Sequence, residues 1–131
     1  MAHDARALPP EVLAFLSERH LATLTTLRPD GSPHVVAVGF TFEPETATAR
    51  VITFGPSRKA RNLAASPRSR AAVCQVDGGR WITLEGPAVV TDDPDRVAEG
   101  IRRYAERYRP PRERADRVVI EISVDRVLGR G

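Results

Sequence analysis

The sequence predicts a mainly β (α+β) fold in a single domain, with six antiparallel strands curled into a small barrel and three short helices. Two observations predict it. Runs rich in Val, Ile, Thr and Phe recur along the chain, joined mostly by hairpin-length turns containing Gly, Pro or Asp. Only three stretches space their apolar residues helically, each opened by a Pro or by a Ser or Asp cap. That is too much β for a helix bundle, and curling the sheet covers its edges. With 131 residues there is room for one modest core.

In chain order, Leu8-Pro9-Pro10-Glu11 opens a helix whose apolar face is Val12, Leu13 and Leu16, running to about Arg19. Leu21 to Leu27 reads as the first strand and Pro29-Asp30-Gly31-Ser32 as a turn. Pro33 to Phe42 is the second strand, with Gly39 marking a bulge or a close backbone approach. A turn at Glu43-Pro44-Glu45-Thr46 leads to the third strand, which begins near Thr48 and ends at Phe54. Gly55-Pro56 breaks it, Ser57 caps a short helix with Ala60, Leu63 and Ala64 on its apolar face, and Ser66-Pro67 ends that helix. Residues 70–76 form the fourth strand and Asp77-Gly78-Gly79 turns the chain. Arg80 to Thr91 is a long fifth strand with a bulge expected at Gly86-Pro87. Asp93 caps the third helix, which carries Val97, Ile101, Tyr104 and Tyr108 on one face and stops at Arg109-Pro110-Pro111-Arg112. In the last strand Val118, Ile120, Ile122 and Val124 face one way, and Val119, Glu121 and Ser123 the other.

Composition bounds the function classes. With 28% charged and 41% apolar residues the chain reads as an ordinary globular protein. It lacks an apolar leader core or any run of 18 apolar residues, so a cytoplasmic protein is expected. The single cysteine, Cys74, lies in an apolar strand and reads as a structural thiol. A net charge of +3 favours an anionic partner without naming it. Nineteen Arg against one Lys resembles the codon bias of a GC-rich genome, so much of the Arg content needs no functional explanation.

That one Lys is Lys59, within Ser57-Arg58-Lys59 at the start of the middle helix. Strand, tight turn and capped helix make an anion site: free backbone N–H groups, the positive end of the helix dipole and cationic side chains converge. The same tripeptide is also what a solvated basic helix start looks like, and alone it does not choose. His3, His20 and His34 are scattered, with no metal-ligand spacing among them or to Cys74. There is no nucleophile elbow, GxGxxG or P-loop. Glu85 and Glu121 read as general acids or as ion-pair partners. Trp81 reads as core or as a stacking wall for a planar ring. Arg102, Arg103, Arg107 and Arg109 form a solvated face or a source of cations for an anion.

The run Val51-Ile-Thr-Phe-Gly-Pro-Ser-Arg-Lys-Ala-Arg-Asn-Leu, with Leu-Thr-Thr-Leu-Arg-Pro-Asp-Gly-Ser-Pro-His-Val-Val before it, resembles the split β-barrel flavin/deazaflavin oxidoreductases of the pyridoxamine 5′-phosphate oxidase-like superfamily. Ala14-Phe-Leu-Ser-Glu-Arg-His-Leu-Ala, Pro33-His-Val-Val-Ala-Val-Gly-Phe-Thr-Phe, Gln75-Val-Asp-Gly, Tyr104-Ala-Glu-Arg-Tyr-Arg and Arg117-Val-Val-Ile-Glu are similar to its F420-dependent biliverdin reductase branch. The likeness spans roughly residues 8 to 128.

The resemblance implies a split β-barrel that binds coenzyme F420, with FMN as the alternative. His34, Val35, Val36 and Ala37 would pass beside the ring, and Ile52 and Thr53 would line the ring or its side chain. Ser57, Arg58, Lys59 and Asn62 would hold the phosphate. Gln75 and Trp81 would complete the pocket from the partner of a homodimer with sites at its interface. FMN oxidases of the family begin the second strand with Arg; His34 stands there in this chain, which fits the deazaflavin branch better. The implied reaction is hydride transfer to a conjugated acceptor such as biliverdin or a similar tetrapyrrole, with no catalytic acid–base pair and no metal. The competing expectations are an FMN-dependent oxidase of the same fold and a non-catalytic F420 or tetrapyrrole carrier. A nucleic-acid module is disfavoured by the 5% aromatic content, and no membrane partner is expected.

Overall fold

The computed structural model describes residues 2–66 and 69–131. They form β1 (Ala2–His3), α1 (Pro10–Ser17), β2 (Ala22–Leu27), β3 (Pro33–Val38), β4 (Thr41–Glu43), β5 (Thr48–Phe54), α2 (Arg58–Ala65), β6 (Arg70–Asp77), β7 (Arg80–Thr91), α3 (Pro94–Arg107), β8 (Arg117–Ser123) and β9 (Arg126–Arg130). Every pairing is antiparallel, in the order β3-β2-β6-β7-β8-β5-β4, with β9 joined to both β7 and β1. The fold is therefore mainly β with three helices, as expected. No described helix is long and apolar enough to cross a membrane.

Two expectations are corrected. The sheet has nine strands rather than six, and it is not closed, because β3 and β4 end the strand order without pairing to each other. The extra strands have physical causes. The expected strand from Pro33 to Phe42 is broken at Gly39, where an added Cβ would lie 2.9 Å from Tyr104 Cε2. There the Phe40 N–H turns out of the ladder and donates to the Tyr108 hydroxyl at 3.2 Å, so a helix end satisfies the amide that a strand would have taken. Past Val124 the chain pairs again as β9 along the free edge of Trp81 to Glu85, and β1 adds to β9.

The long β7 is the hub. Arg80 to Pro87 pairs with β6, Trp81 to Glu85 also with β9, and Ala88 to Thr91 with β8. The expected bulge at Gly86-Pro87 is instead the point where β7 exchanges β9 for β8 as its neighbour. Gly86 allows that crossing, since a Cβ there would lie 1.9 Å from the Ser123 carbonyl oxygen.

The sheet wraps one core that includes Phe15 of α1, Leu24 of β2, Val51 of β5, Val73 of β6, Leu84 of β7 and Ile120 of β8. Each such side chain contributes roughly 1.5–3 kcal/mol by leaving water. On β5, Ala49, Val51 and Thr53 point inward while Ile52 and Phe54 are half-buried on the outer face. α3 covers that outer face of β5 and β8, and Gly100 lets it approach closely: a Cβ would sit 2.9 Å from Val119 Cγ2 and 3.1 Å from Ile52 Cγ2. Helix ends differ slightly from expectation. α1 stops at Ser17, two residues before Arg19, and α3 at Arg107, because residues preceding Pro110-Pro111 disfavour helical backbone. The Pro67 stop signal lies outside the described residues.

Candidate functional site

A cavity of about 550 Å³ lies at the sheet's opening, where the end of β3 faces the stretch of β5 beyond its pairing with β4. One wall is Ala37, Val38 and Gly39; another is Ile52 of β5 with Lys59 of α2. The exit of α3 closes the rest: Tyr104, then Arg109-Pro110-Pro111-Arg112, with Arg117 at the start of β8. Four cationic side chains line it and no acidic one does.

The strand-turn-helix beside it is built as its sequence dictates. The Ser57 Oγ accepts from the Ala60 N–H at 3.3 Å and from the Thr53 hydroxyl at 3.1 Å. Its own proton is left free to donate, alongside the unpaired N–H groups of the first helical turn. Burial pushes the Lys59 ammonium below its ordinary range, and among the described residues no carboxylate lies within salt-bridge distance of it. An incompletely hydrated cation without a counter-ion is a poised anion ligand.

Behind this corner is a polar trio, buried Thr26 and Asn62 with half-buried His34. The Asn62 Nδ2 donates to the Thr26 hydroxyl at 2.9 Å, and His34 sits across from Thr26 in the β2–β3 ladder. Asn62 Oδ1 and His34 Nδ1 are both buried without a partner among the described residues. Burial, then the charges of Arg28, Lys59 and Arg58, lower the His34 pKa and favour its neutral imidazole.

The expected site residues thus fall into groups. Ala37, Ile52 and Lys59 meet in the cavity. His34 and Val36 lie on the less exposed face of β3, Val35 with Ala37 on the more exposed one, and Thr53 acts through Ser57. Arg58 is exposed on the first turn of α2. Gln75 and Trp81 are not in the cavity of their own chain. Gln75 is fully buried, donating to the Phe15 carbonyl at 2.8 Å and accepting from Arg107; Trp81 lies on the outer surface of the sheet. Sequence reasoning missed Val38, Gly39, Arg112 and Arg117 as cavity residues and read Tyr104 as helix packing. The rigid, basic Arg109-Pro110-Pro111-Arg112 was the available signal.

Glu121 faces Arg96 and Arg50, and Glu85 lies 3.7 Å from Arg126, which makes both ion-pair residues. The fold also gathers Glu18, His20 and Asp77, whose donor atoms lie within 4.8 Å of one another. Arg80 bonds both carboxylates and offsets part of their charge.

The family model described as pyridoxamine 5′-phosphate oxidase matches residues 8–131. The chain is 57% identical over 129 residues to an F420H(2)-dependent biliverdin reductase of Mycobacterium tuberculosis (strain CDC 1551 / Oshkosh), covering 98% of this chain and 93% of that one. Among solved structures it resembles an F420 reductase, with TM-score 0.72 and 27% identity over 92% of this chain and 98% of that one. A conserved hypothetical protein of Mycobacterium tuberculosis superposes with TM-score 0.75 at 24% identity, covering 95% and 85% of the two chains, which supports the fold alone.

Proposed function

The chain belongs to the pyridoxamine 5′-phosphate oxidase family, and from that premise we propose that it is an F420-dependent oxidoreductase whose acceptor is biliverdin. The observation that carries this is the cavity at the opening of the sheet, with four cations and no acid in its walls. The 57%-identical relative, an F420H(2)-dependent biliverdin reductase, supports it.

The residues present fit such a coenzyme. The Ser57 proton, the first N–H groups of α2, Arg58 and Lys59 hold its phosphate, and the orphaned Asn62 Oδ1 and His34 Nδ1 offer polar contacts beside it. Ala37 and Ile52, which meet in the cavity, form the strand surface along which the flat ring would lie. When bound, reduced F420 would supply the hydride that an electron-poor carbon of the acceptor takes up. The protein aligns the two and excludes water from one side, which accounts for a site without an acid–base pair. Gln75 serves from beneath: it holds Arg107, whose guanidinium also binds the Phe40 carbonyl next to Gly39.

We read the working unit as a cytoplasmic homodimer of one split-barrel domain. The outer face of β3, β2, β6 and β7 supports this. One row across it is Ala37, Thr23, Cys74 and Thr83, and the next begins Val35, Thr25 and Ala72. Val35 and Val76 are 58% and 59% exposed, an apolar surface of the kind a partner covers. In such a dimer Trp81 reaches the site from the second subunit.

Titration of purified protein with F420 and with FMN, followed by turnover of biliverdin with reduced F420, tests this. Saturable F420 binding and biliverdin reduction are expected. A protein that purifies yellow with bound flavin and ignores F420 is an FMN enzyme instead; tight F420 binding with no turnover makes it a carrier.

A further inference from the structure

Eight arginines among the described residues face a carboxylate, as Arg70 faces Asp125 at 2.6 Å and Arg102 faces Glu106 at 2.6 Å. Those at the exit of α3 do not. Among the described residues, Arg109 and Arg112 have neither a salt bridge nor a side-chain hydrogen bond, and both line the cavity. Arg117 donates only to backbone carbonyls, of Arg112 at 2.6 Å and of Thr53 at 3.5 Å. Three arginines therefore line one wall of the cavity with no carboxylate bonded to any of them among the described residues, an arrangement suited to an external anion.

The wall is also fixed in place. Pro110 and Pro111 restrict the backbone, and Arg117 ties down the Arg112 carbonyl. The Gly55 N–H donates to the Asp116 carbonyl at 2.9 Å. Arg114, paired with Asp116, stacks on Phe54 with its guanidinium carbon 4.2 Å from the ring centroid. The loop is thereby anchored to the same strand and turn that lead into Ser57 and Lys59. Its cations are preorganised, so little ordering is needed on binding.

We propose that Arg109, Arg112 and Arg117 form a second anion subsite, separate from the phosphate corner at Ser57 and Lys59, which recognises carboxylates through the guanidinium fork. This rests on the coenzyme reading above. With the phosphate at Lys59, the anions left are carboxylates, and they have two sources: the glutamate tail of the coenzyme and the propionates of the tetrapyrrole.

The test uses the full chain with Arg109→Gln and Arg112→Gln, singly and together. Neither side chain bonds anything in the protein, so folding is unaffected; Arg117, which ties the loop, is left in place. One arm compares binding of F420 bearing several glutamates with the same coenzyme lacking its tail. The other compares biliverdin with its dimethyl ester. In the arm the subsite serves, wild type prefers the carboxylate-bearing ligand by about 10- to 100-fold, as one or two charge-assisted hydrogen bonds give. The double variant erases that preference and binds the ligand lacking those carboxylates as before. Wild type indifferent to charge in both arms, or a preference that survives in the double variant, overturns the subsite while F420 binding still upholds the coenzyme reading. Failure of wild type to bind any form of F420 overturns that reading, and the subsite with it.

Discussion

The Thr53 hydroxyl donates to Ser57 Oγ at 3.1 Å across the turn that joins β5 to α2. The bond orients the cap oxygen, which also accepts the Ala60 N–H, and so leaves the Ser57 proton free for another acceptor. Ser57→Ala removes a helix cap and an anion donor together. It is expected to destabilise the protein by about 0.5–2 kcal/mol in urea unfolding and to weaken F420 binding. Thr53→Val keeps the cap acceptor and loses only its orientation, so its binding defect is the smaller of the two. Equal affinity in wild type and Ser57→Ala would show that this turn does not hold the coenzyme.

Lys59→Ala separates binding from folding more cleanly. The ammonium is half-buried with its pKa lowered by burial, so it contributes little to the stability of the empty protein. Removing it is expected to weaken F420 by about 1.5–3 kcal/mol, the range for a hydrogen bond to a charged group, while the unfolding midpoint stays put. Fluorescence titration and thermal melting of the same sample read both quantities.

What was legible in the sequence was what is local. Ser57 and Ala60 are three residues apart, so cap, helix and anion corner could be read from one short run. The break at Gly39 was visible only as a place where something comes close; what comes close is Tyr104 and Tyr108, more than 60 residues later. β9 escaped notice because it is five residues long and its strand character comes from the free edge of β7. Arg109, Arg112 and Arg117 look like any solvated basic run until the fold sets them against Ile52 and Lys59.

Acid should loosen the junction between α1 and the β6–β7 hairpin. The Arg80 guanidinium, and secondarily His20, hold the Glu18 carboxyl at about 2, against an ordinary value of 4.5. A carboxylate with a depressed folded-state pKa contributes its stability in full above 4.5 and loses it as pH falls towards about 2. Glu18→Gln should therefore flatten the pH dependence of stability between those limits, with a modest effect because the pair is solvent-exposed and screened by salt. Urea titrations from pH 5 to about pH 2 at low and high salt give the comparison; an unchanged acid limb means the pair does not matter.

Gly86→Ala probes the exchange of strands along β7. The new methyl would lie 1.9 Å from the Ser123 carbonyl oxygen, which is backbone and has no rotamer to yield. β7 and β8 must then separate, and the loss should reach or exceed the ~1–3 kcal/mol typical of overpacking. Gly79→Ala, at a turn position with nothing within 4 Å of the added carbon, is the matched control and should cost much less. Parity between the two variants would mean the crossing is looser than the geometry indicates.

The outer sheet face yields the last expectation, which concerns assembly. Val76 pairs with Trp81 across β6 and β7, and both side chains are exposed beside Leu21, itself 66% exposed. If two copies meet there, a carboxylate at position 76 must enter an apolar contact without a counter-charge, a cost of several kcal/mol that an interface of ordinary size cannot absorb. Val76→Glu should then elute as a monomer in light-scattering chromatography where wild type is a dimer, with far-ultraviolet dichroism unchanged. Its F420 affinity should fall as well, because Trp81 of a second subunit no longer closes the site. A variant that remains dimeric places the interface elsewhere; one that becomes monomeric yet binds F420 as tightly as wild type leaves the coenzyme site complete within a single chain.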